Sequence, residues 1–415
     1  MTKKENVRIL FILVFLLLAC SRTKTVPQIT VGGVWEAPGT TGEIDWAKAS
    51  LLAEEQHAGF ELANEDAGFS EISFAEGNRK DEVQTAIRKL VEGQGADIEP
   101  VMAILGATTN EATTRSVALA NFFQVPMVIP SASGNNLLPT TNLWAFQLSA
   151  PDAAYADHML NTVLAHQVLG DAEEEFFPEM RIAVFYEQNT YGESAAVATA
   201  EAALAQGYEI VVYEKFSANF PDRSQLRKMI NNVIDQDAQI VFLISNDPAV
   251  AQLIVQTFTG LLDSLSMPVI VGMAGGFTSQ AFLTSDAAEN VYVLRQKLDA
   301  ADCPAEIKSL YAAQTYAAVK LLEYAVQEST TGVVEQISKL AKGSKTGSAF
   351  SKEAIRDSLK AADLELPCLG RIAFDTKGQN KYPRFEIVST EFGKSNSLPE
   401  EAFVNIVKQK LGLRE

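Results

Sequence analysis

The chain has 415 residues, room for two domains of roughly 100–200 residues each, and its 47% hydrophobic content with 25 glycines and 15 prolines excludes a disordered or fibrous protein. A formal net charge of −18 excludes partners that are themselves strongly anionic, so nucleic acid and acidic lipid surfaces are set aside.

The amino terminus carries Lys3, Lys4 and Arg8, and Ile9 to Ala19 is unbroken apolar sequence. That stretch is too short to span a bilayer, which needs about 20 residues. A basic start, a short apolar core and small residues at Ala19 and Cys20 predict an export signal over 1–19, with a buried core helix as the competing reading. The ending Leu17-Leu18-Ala19-Cys20-Ser21 resembles a bacterial lipobox, which implies cleavage before Cys20, lipidation of that cysteine and a tether over 20–27. Loss of residues 1–19 leaves 31 basic and 51 acidic side chains, a net charge near −20 that suits a soluble body hanging from acyl chains outside the cytoplasm. Cys303 and Cys368 then remain, either as a disulfide or as two buried thiols.

From Gln28 on, short apolar runs alternate with amphipathic stretches. Strands are predicted at Ile29–Val34, Ile72–Phe74, Val101–Leu105 and Met127–Ile129, and helices at Trp46–Asn64, around Val83 to Val91, and at Asn110–Phe123. The rhythm restarts after Leu148, with strands at Ile182–Phe185, Ile210–Tyr213, Ile240–Ile244 and Val269–Val271. Helices separate them at Glu193–Ala205, Ser224–Ile234 and Ala249–Leu261. This alternation predicts an α/β chain of two doubly wound parallel sheets in series, joined by a brief hinge near Ser149 to Pro151. The last part differs: helices at Ala305–Val326 and Lys352–Ala362 flank a polar loop at Lys342–Ser348. Two strands surround a turn at Asp375–Asn380, and a helix at Glu401–Leu411 closes the chain.

Ligands of open parallel sheets sit outside the carboxyl ends of the strands, so the strand exits carry the functional question. Three of them are "GGVWEAPG" (32–39), "GATTNEATT" (106–114) and "PSASGNN" (130–136). The last two offer hydroxyls and amides without Lys or Arg. Thr108, Thr109 and Asn110 at a helix start could hold one carboxylate without a cation, whereas a phosphate would more often meet a basic group. Simple helix capping by Thr109 and Asn110, and a turn at Ser131 and Ser133, compete with that reading.

The span from about Gln28 to Val388 resembles the solute-binding proteins of branched-chain amino acid ABC transporters, the type I periplasmic binding fold. "GGVWEAPG", "ILGATTNEATTRSVA", "VPMVIPSASGNNLL", "IAVFYEQNTYGES", "TYAAVKLLEYAV" and "GRIAFDTKGQ" occur in family order. The resemblance implies residues 28–149 plus 298–376 as one lobe and 150–297 plus 377–415 as the other, three crossovers at a hinge, and a small-molecule ligand between them. It places Ser131 and Ser133 on the ligand's polar end and Tyr191 as a closing residue from the second lobe. It also implies Asn246 and Tyr311 as lining residues, while Trp35, lying in the first loop, is expected to wall the pocket. Where such binders carry an acid against the ligand's ammonium, this chain has Ala274, so the ligand is expected to be a carboxylate without an ammonium, an amide or an aromatic compound, unless Asp247 or Glu187 substitutes. Asp247 before Pro248 also reads as a helix cap.

The resemblance implies a permease partner, membrane association through the lipid anchor alone, and no enzyme activity. No G-x-S-x-G elbow, Walker loop or G-x-G-x-x-G after a strand occurs, and His57, His158 and His166 are isolated, so no cofactor or metal is expected. Two alternatives stay open: a lipoprotein that regulates a cell-wall synthase by protein contact, and a ligand sensor without transport.

Overall fold

A computed structural model describes residues 29–36, 49–75, 80–93, 99–168, 180–217, 221–262, 266–299, 301–340, 351–391 and 393–411. The expected leader, Cys20 and its tether, the acidic run Glu173–Glu175 and the polar loop Lys342–Ser348 lie outside the described residues.

Strands β1 (Thr30–Trp35), β2 (Ser70–Ala75), β3 (Ala103–Gly106), β4 (Met127–Ile129) and β5 (Ala145–Gln147) form an all-parallel sheet in the order β2-β1-β3-β4-β5. The crossovers are α1 (Leu51–Ala67), α2 (Lys80–Glu92) and α3 (Asn110–Phe123). Buried residues of β1 point to both sides: Val31 and Trp35 join Phe60 of α1, while Val34 joins Ile87 of α2 and Val117 of α3. A strand covered on both faces reads as a continuous apolar run, which is why β1, β3 and β4 stand out in the sequence. Helix α1 starts later than the predicted Trp46 because Ser50 caps it, its hydroxyl accepting from Ala53 N at 3.2 Å.

A short helix, α4 (Asp152–Asp157), continues into a π-helical stretch, His158–Val168. The second sheet then takes β6 (Arg181–Glu187), β7 (Glu209–Phe216), β8 (Ile240–Ile244), β9 (Val269–Met273) and β10 (Tyr292–Gln296) in parallel. Helices α5 (Thr190–Ala205), α6 (Arg223–Asp235) and α7 (Pro248–Leu261) link them, and a four-residue helix α8 (Gln280–Leu283) precedes β10. The long helix α9 (Leu310–Leu340) and α10 (Lys352–Lys360) lead to a ribbon of β11 (Asp363–Leu366) and β12 (Gly370–Ala373). Antiparallel β13 (Phe385–Glu391) and β14 (Lys394–Leu398) complete the second sheet, in the order β14-β13-β10-β9-β8-β6-β7, before α11 (Glu400–Lys410).

The two strands expected around Asp375–Asn380 both exist, but β12 pairs with β11 and β13 with β10, so the turn carries the chain from one lobe to the other. Helix α9 departs from its predicted span at both ends. Ser309 caps its start, accepting from Ala312 N at 3.2 Å, and the sequence Thr330-Thr331-Gly332 does not stop it. Cys303 and Cys368 form a disulfide, settling the two readings left open by the sequence. Among the described residues no helix is long and apolar enough to cross a membrane.

Candidate functional site

The exit of β3 runs directly under β1. A side chain at Gly106 would meet the Val34 carbonyl at 2.4 Å, and its φ of 109° is open to glycine alone, so the backbone can turn at once into Thr108 and Thr109. Thr109 caps α3, accepting from Ala112 N at 3.3 Å. The Thr108 hydroxyl accepts from Glu36 N at 3.1 Å and donates to Gln56 Oε1 at 2.6 Å. Gln56, wholly buried on α1, passes the polarity on: its Nε2 donates to Ser131 Oγ at 2.5 Å. Ser131 is thereby an acceptor toward Gln56, which leaves its own proton for another acceptor.

Asn110 takes up the backbone amides of the serine loop, Oδ1 accepting from Ser133 N at 3.0 Å and Gly134 N at 3.2 Å. In sequence the loop reads as offering amides to a ligand; here the asparagine consumes those of Ser133 and Gly134. In exchange Asn110 is 4% exposed and its Nδ2 has no hydrogen-bond partner. A buried donor without an acceptor is costly, about 1–3 kcal/mol, unless a ligand supplies one.

From the second sheet, Asn189 caps α5 through Gly192 N at 2.7 Å and sets Tyr191 in the first turn. The Tyr191 hydroxyl donates to the Met273 carbonyl at 2.5 Å, so its proton is engaged within the second lobe. Gly275, at φ 51°, lies against it: a side chain there would come within 2.9 Å of the phenol oxygen and 2.4 Å of the Ser245 carbonyl. Neither acid proposed to replace Ala274 is available. Glu187 accepts from Ser245 Oγ at 2.8 Å and Asn246 N at 2.7 Å, and Asp247 caps α7 through Ala249 N at 2.8 Å with Pro248 following.

These groups meet in one cleft that is partly open to solvent. Thr108, Thr109, Asn110, Ser131 and Ser133 line it from the first sheet, Tyr191, Asn246 and Ala274 from the second, and Tyr311 from α9. Trp35 does not. Its ring is fully buried against Phe60 and its Nε1 donates to Ser73 Oγ at 2.9 Å, because alternation along β1 sends it to the α1 side of the sheet. The next residue, Glu36, lines the cavity instead, joined by Tyr155 and Gln314. The sequence reading missed all three. A signal existed for Glu36, the first charged residue after β1; Gln56 and Gln314 look like ordinary polar residues of amphipathic helices.

The cavity is acidic at its edges. Burial pushes the Glu36 carboxyl above its usual range, and Glu187 and Asp247 push the same way, against a hydrogen bond from Ser50. Asp152 at the start of α4 is raised to about 7 by burial, opposed by the hydroxyls of Ser194 and Ser133. Burial keeps the phenols of Tyr191 and Tyr311 far above their ordinary value, so both stay neutral. The two lobes touch directly where Glu55 Oε1 accepts from Ser279 Oγ at 3.0 Å and Gln280 N at 2.8 Å, and where Asn135 N donates to Ser194 Oγ at 3.4 Å.

The model of a family described as periplasmic binding protein matches residues 29–389. Among solved structures, a leucine binding protein LivK from Thermotoga maritima is 16% identical, covering 89% of this chain and 98% of its own, with a TM-score of 0.66. LivJ from Streptococcus pneumoniae, a branched-chain amino acid substrate binding protein in complex with isoleucine, is 20% identical with a TM-score of 0.64, over 89% of this chain and 99% of its own. A solute binding protein from R. palustris in complex with benzoate is 14% identical with a TM-score of 0.66, over 89% and 95%. No curated protein sequence matches the chain.

Proposed function

The chain belongs to the periplasmic binding protein family, and from that premise we propose that it is a lipid-anchored extracytoplasmic receptor that captures a small organic carboxylate between its lobes and delivers it to an ABC permease. The observation that carries the reading is the cavity between the sheets, where Asn110 Nδ2 is buried without a partner and Ser131 accepts from Gln56, which leaves its own proton for another acceptor. Two donors without acceptors ask for an anionic oxygen. Leucine, isoleucine and benzoate, the ligands of the similar structures, have a carboxylate in common. Ser131 and Asn110 hold that end, assisted by Thr108, Thr109 and Ser133; Tyr191 and Asn246 close from the second lobe, and Tyr311 shapes the side-chain pocket. Binding selects the closed state through contacts to both lobes.

Lipidation at Cys20 and export are part of the proposal. The Cys303–Cys368 disulfide supports it, since such bonds persist in oxidising compartments. Thermal unfolding against amino acids, amides, aromatic acids and nucleosides tests the binding claim. A ligand at a hundred times its Kd adds about 2.7 kcal/mol of stability, and Ser131→Ala and Asn110→Ala abolish the shift at that concentration. A panel that shifts nothing turns the reading toward a regulator acting by protein contact.

A further inference from the structure

We infer that the cleft selects ligands carrying a cationic nitrogen beside their carboxylate, and that the counter-charge is Glu36 on the first lobe instead of an acid on the second. The inference rests on the receptor reading above and names its ligand class.

Glu36 is the one carboxylate lining the cavity among the described residues, and no lysine, arginine or histidine lines it with Glu36. It is held at several points. Its N–H donates to Thr108 Oγ1 at 3.1 Å, its carbonyl accepts from Ser50 N at 2.9 Å, and its carboxylate accepts from the Ser50 hydroxyl. Ser50 donates there because an ionised carboxylate only accepts, while the Ser50 oxygen also accepts the capping bond from Ala53 N. One hydrogen bond leaves most of the carboxylate's acceptor capacity unused. Across the cleft stand Asn246, Ala274 and Gly275, none of them a cation. The carboxyl groups of Glu187 and Asp247 act on Glu36 in the sense of like charges.

A second observation is independent of the acid. The Asn110 Nδ2 donor, two residues beyond the Thr108 that fixes Glu36, is buried and has no acceptor. A cavity with an acceptor lacking a cation and a donor lacking an acceptor is complementary to a zwitterion. A purely anionic ligand satisfies Asn110 but sets a second negative charge in the same low-dielectric space as Glu36. Ala274 therefore does not remove ammonium recognition, as the sequence alone suggested; the acid has moved to the opposite wall.

The test compares matched probes on the full chain in detergent at neutral pH: L-leucine against 4-methylpentanoate, L-phenylalanine against 3-phenylpropanoate, and L-glutamine against 4-carbamoylbutanoate, each by thermal shift and calorimetry. The expected result is that zwitterions bind at least tenfold more tightly than their des-amino partners, that Glu36→Gln lowers zwitterion affinity by about tenfold or more, and that it leaves or improves des-amino binding. Tighter binding of the des-amino acids by the wild-type chain overturns the inference without any variant and leaves the receptor reading intact. Unchanged zwitterion affinity in Glu36→Gln does the same. Absence of binding by every probe overturns both.

Discussion

Replacing Asp152 with asparagine should make the protein more stable in mild alkali and no more stable in acid. Asp152 is 3% exposed, and its Oδ2 has no hydrogen-bond partner. Only the hydroxyls of Ser133 and Ser194 oppose the desolvation that lifts its carboxyl from 3.8 to about 7. The folded chain thus holds this proton more tightly than the unfolded chain. The associated stability is fully present below about pH 4 and is lost as pH rises through about 7. The rise corresponds to a ceiling of about 4 kcal/mol at pH 8. Asparagine keeps the shape and abolishes the titration, but it still buries an amide with incomplete partners, so a net gain of about 2 kcal/mol is expected. For a chain of 415 residues that is a rise in Tm of about 2 °C. Melting curves of both proteins from pH 4 to 8.5 isolate the effect, because Glu36, Glu55 and Glu187 are also raised by burial and cancel in the difference. Profiles that run parallel, or a variant less stable at pH 8, would refute the claim that Asp152 is an uncompensated buried acid.

Gln56→Leu removes the Gln56 acceptor of the Thr108 hydroxyl and frees the Ser131 rotor, with an expected loss of about 2 kcal/mol in stability and about tenfold in ligand affinity, read by melting and calorimetry. Glu55→Ala removes both bonds that tie α1 to Ser279 and Gln280; scattering should show a more open apo form, and Kd should rise about tenfold through the closure step. Cys303→Ser with Cys368→Ser opens a loop with a sequence separation of 65, worth about 4 kcal/mol of chain entropy, and denaturant midpoints should fall accordingly.

Strands buried on both faces were legible because nothing else gives short continuous apolar runs at that spacing. The elements missed include β10, although its Val293 and Leu294 are buried, and others without such a signal. β5 has three residues, and β14 is the polar edge sequence Lys394-Ser395-Asn396-Ser397-Leu398. The π-helical stretch after α4 carries no periodicity that distinguishes it from an α-helix. Among site residues, loops at strand ends were readable by position, and all but one of the singled-out side chains line the cavity. Trp35 was misplaced because exposure was judged from the loop motif when alternation along β1 decides it. Gly33 gives the clue: a side chain there would meet Trp35 Nε1 at 2.5 Å, so the glycine makes room for the ring to fold back over its own strand.

Hydrogen-bond polarity divides the labour between the lobes in a way residue types alone do not reveal. Thr108, Ser131 and Asn110 carry similar polar groups, yet Thr108 has its proton engaged by Gln56, while Ser131 and Asn110 keep donors for the cleft. On the second lobe the Tyr191 proton goes to Met273 and the Asn246 N–H to Glu187. Unengaged donors are therefore concentrated on the first lobe, together with Glu36. On the proposed function, recognition of charge would fall to the first lobe, and the second lobe would contribute mainly the Tyr191 ring, the Asn246 side chain and the contacts to Glu55. Substitutions on the first lobe should then lower association and affinity together, whereas those at Tyr191 or Glu55 should act through the dissociation rate, since closure is the step they hold.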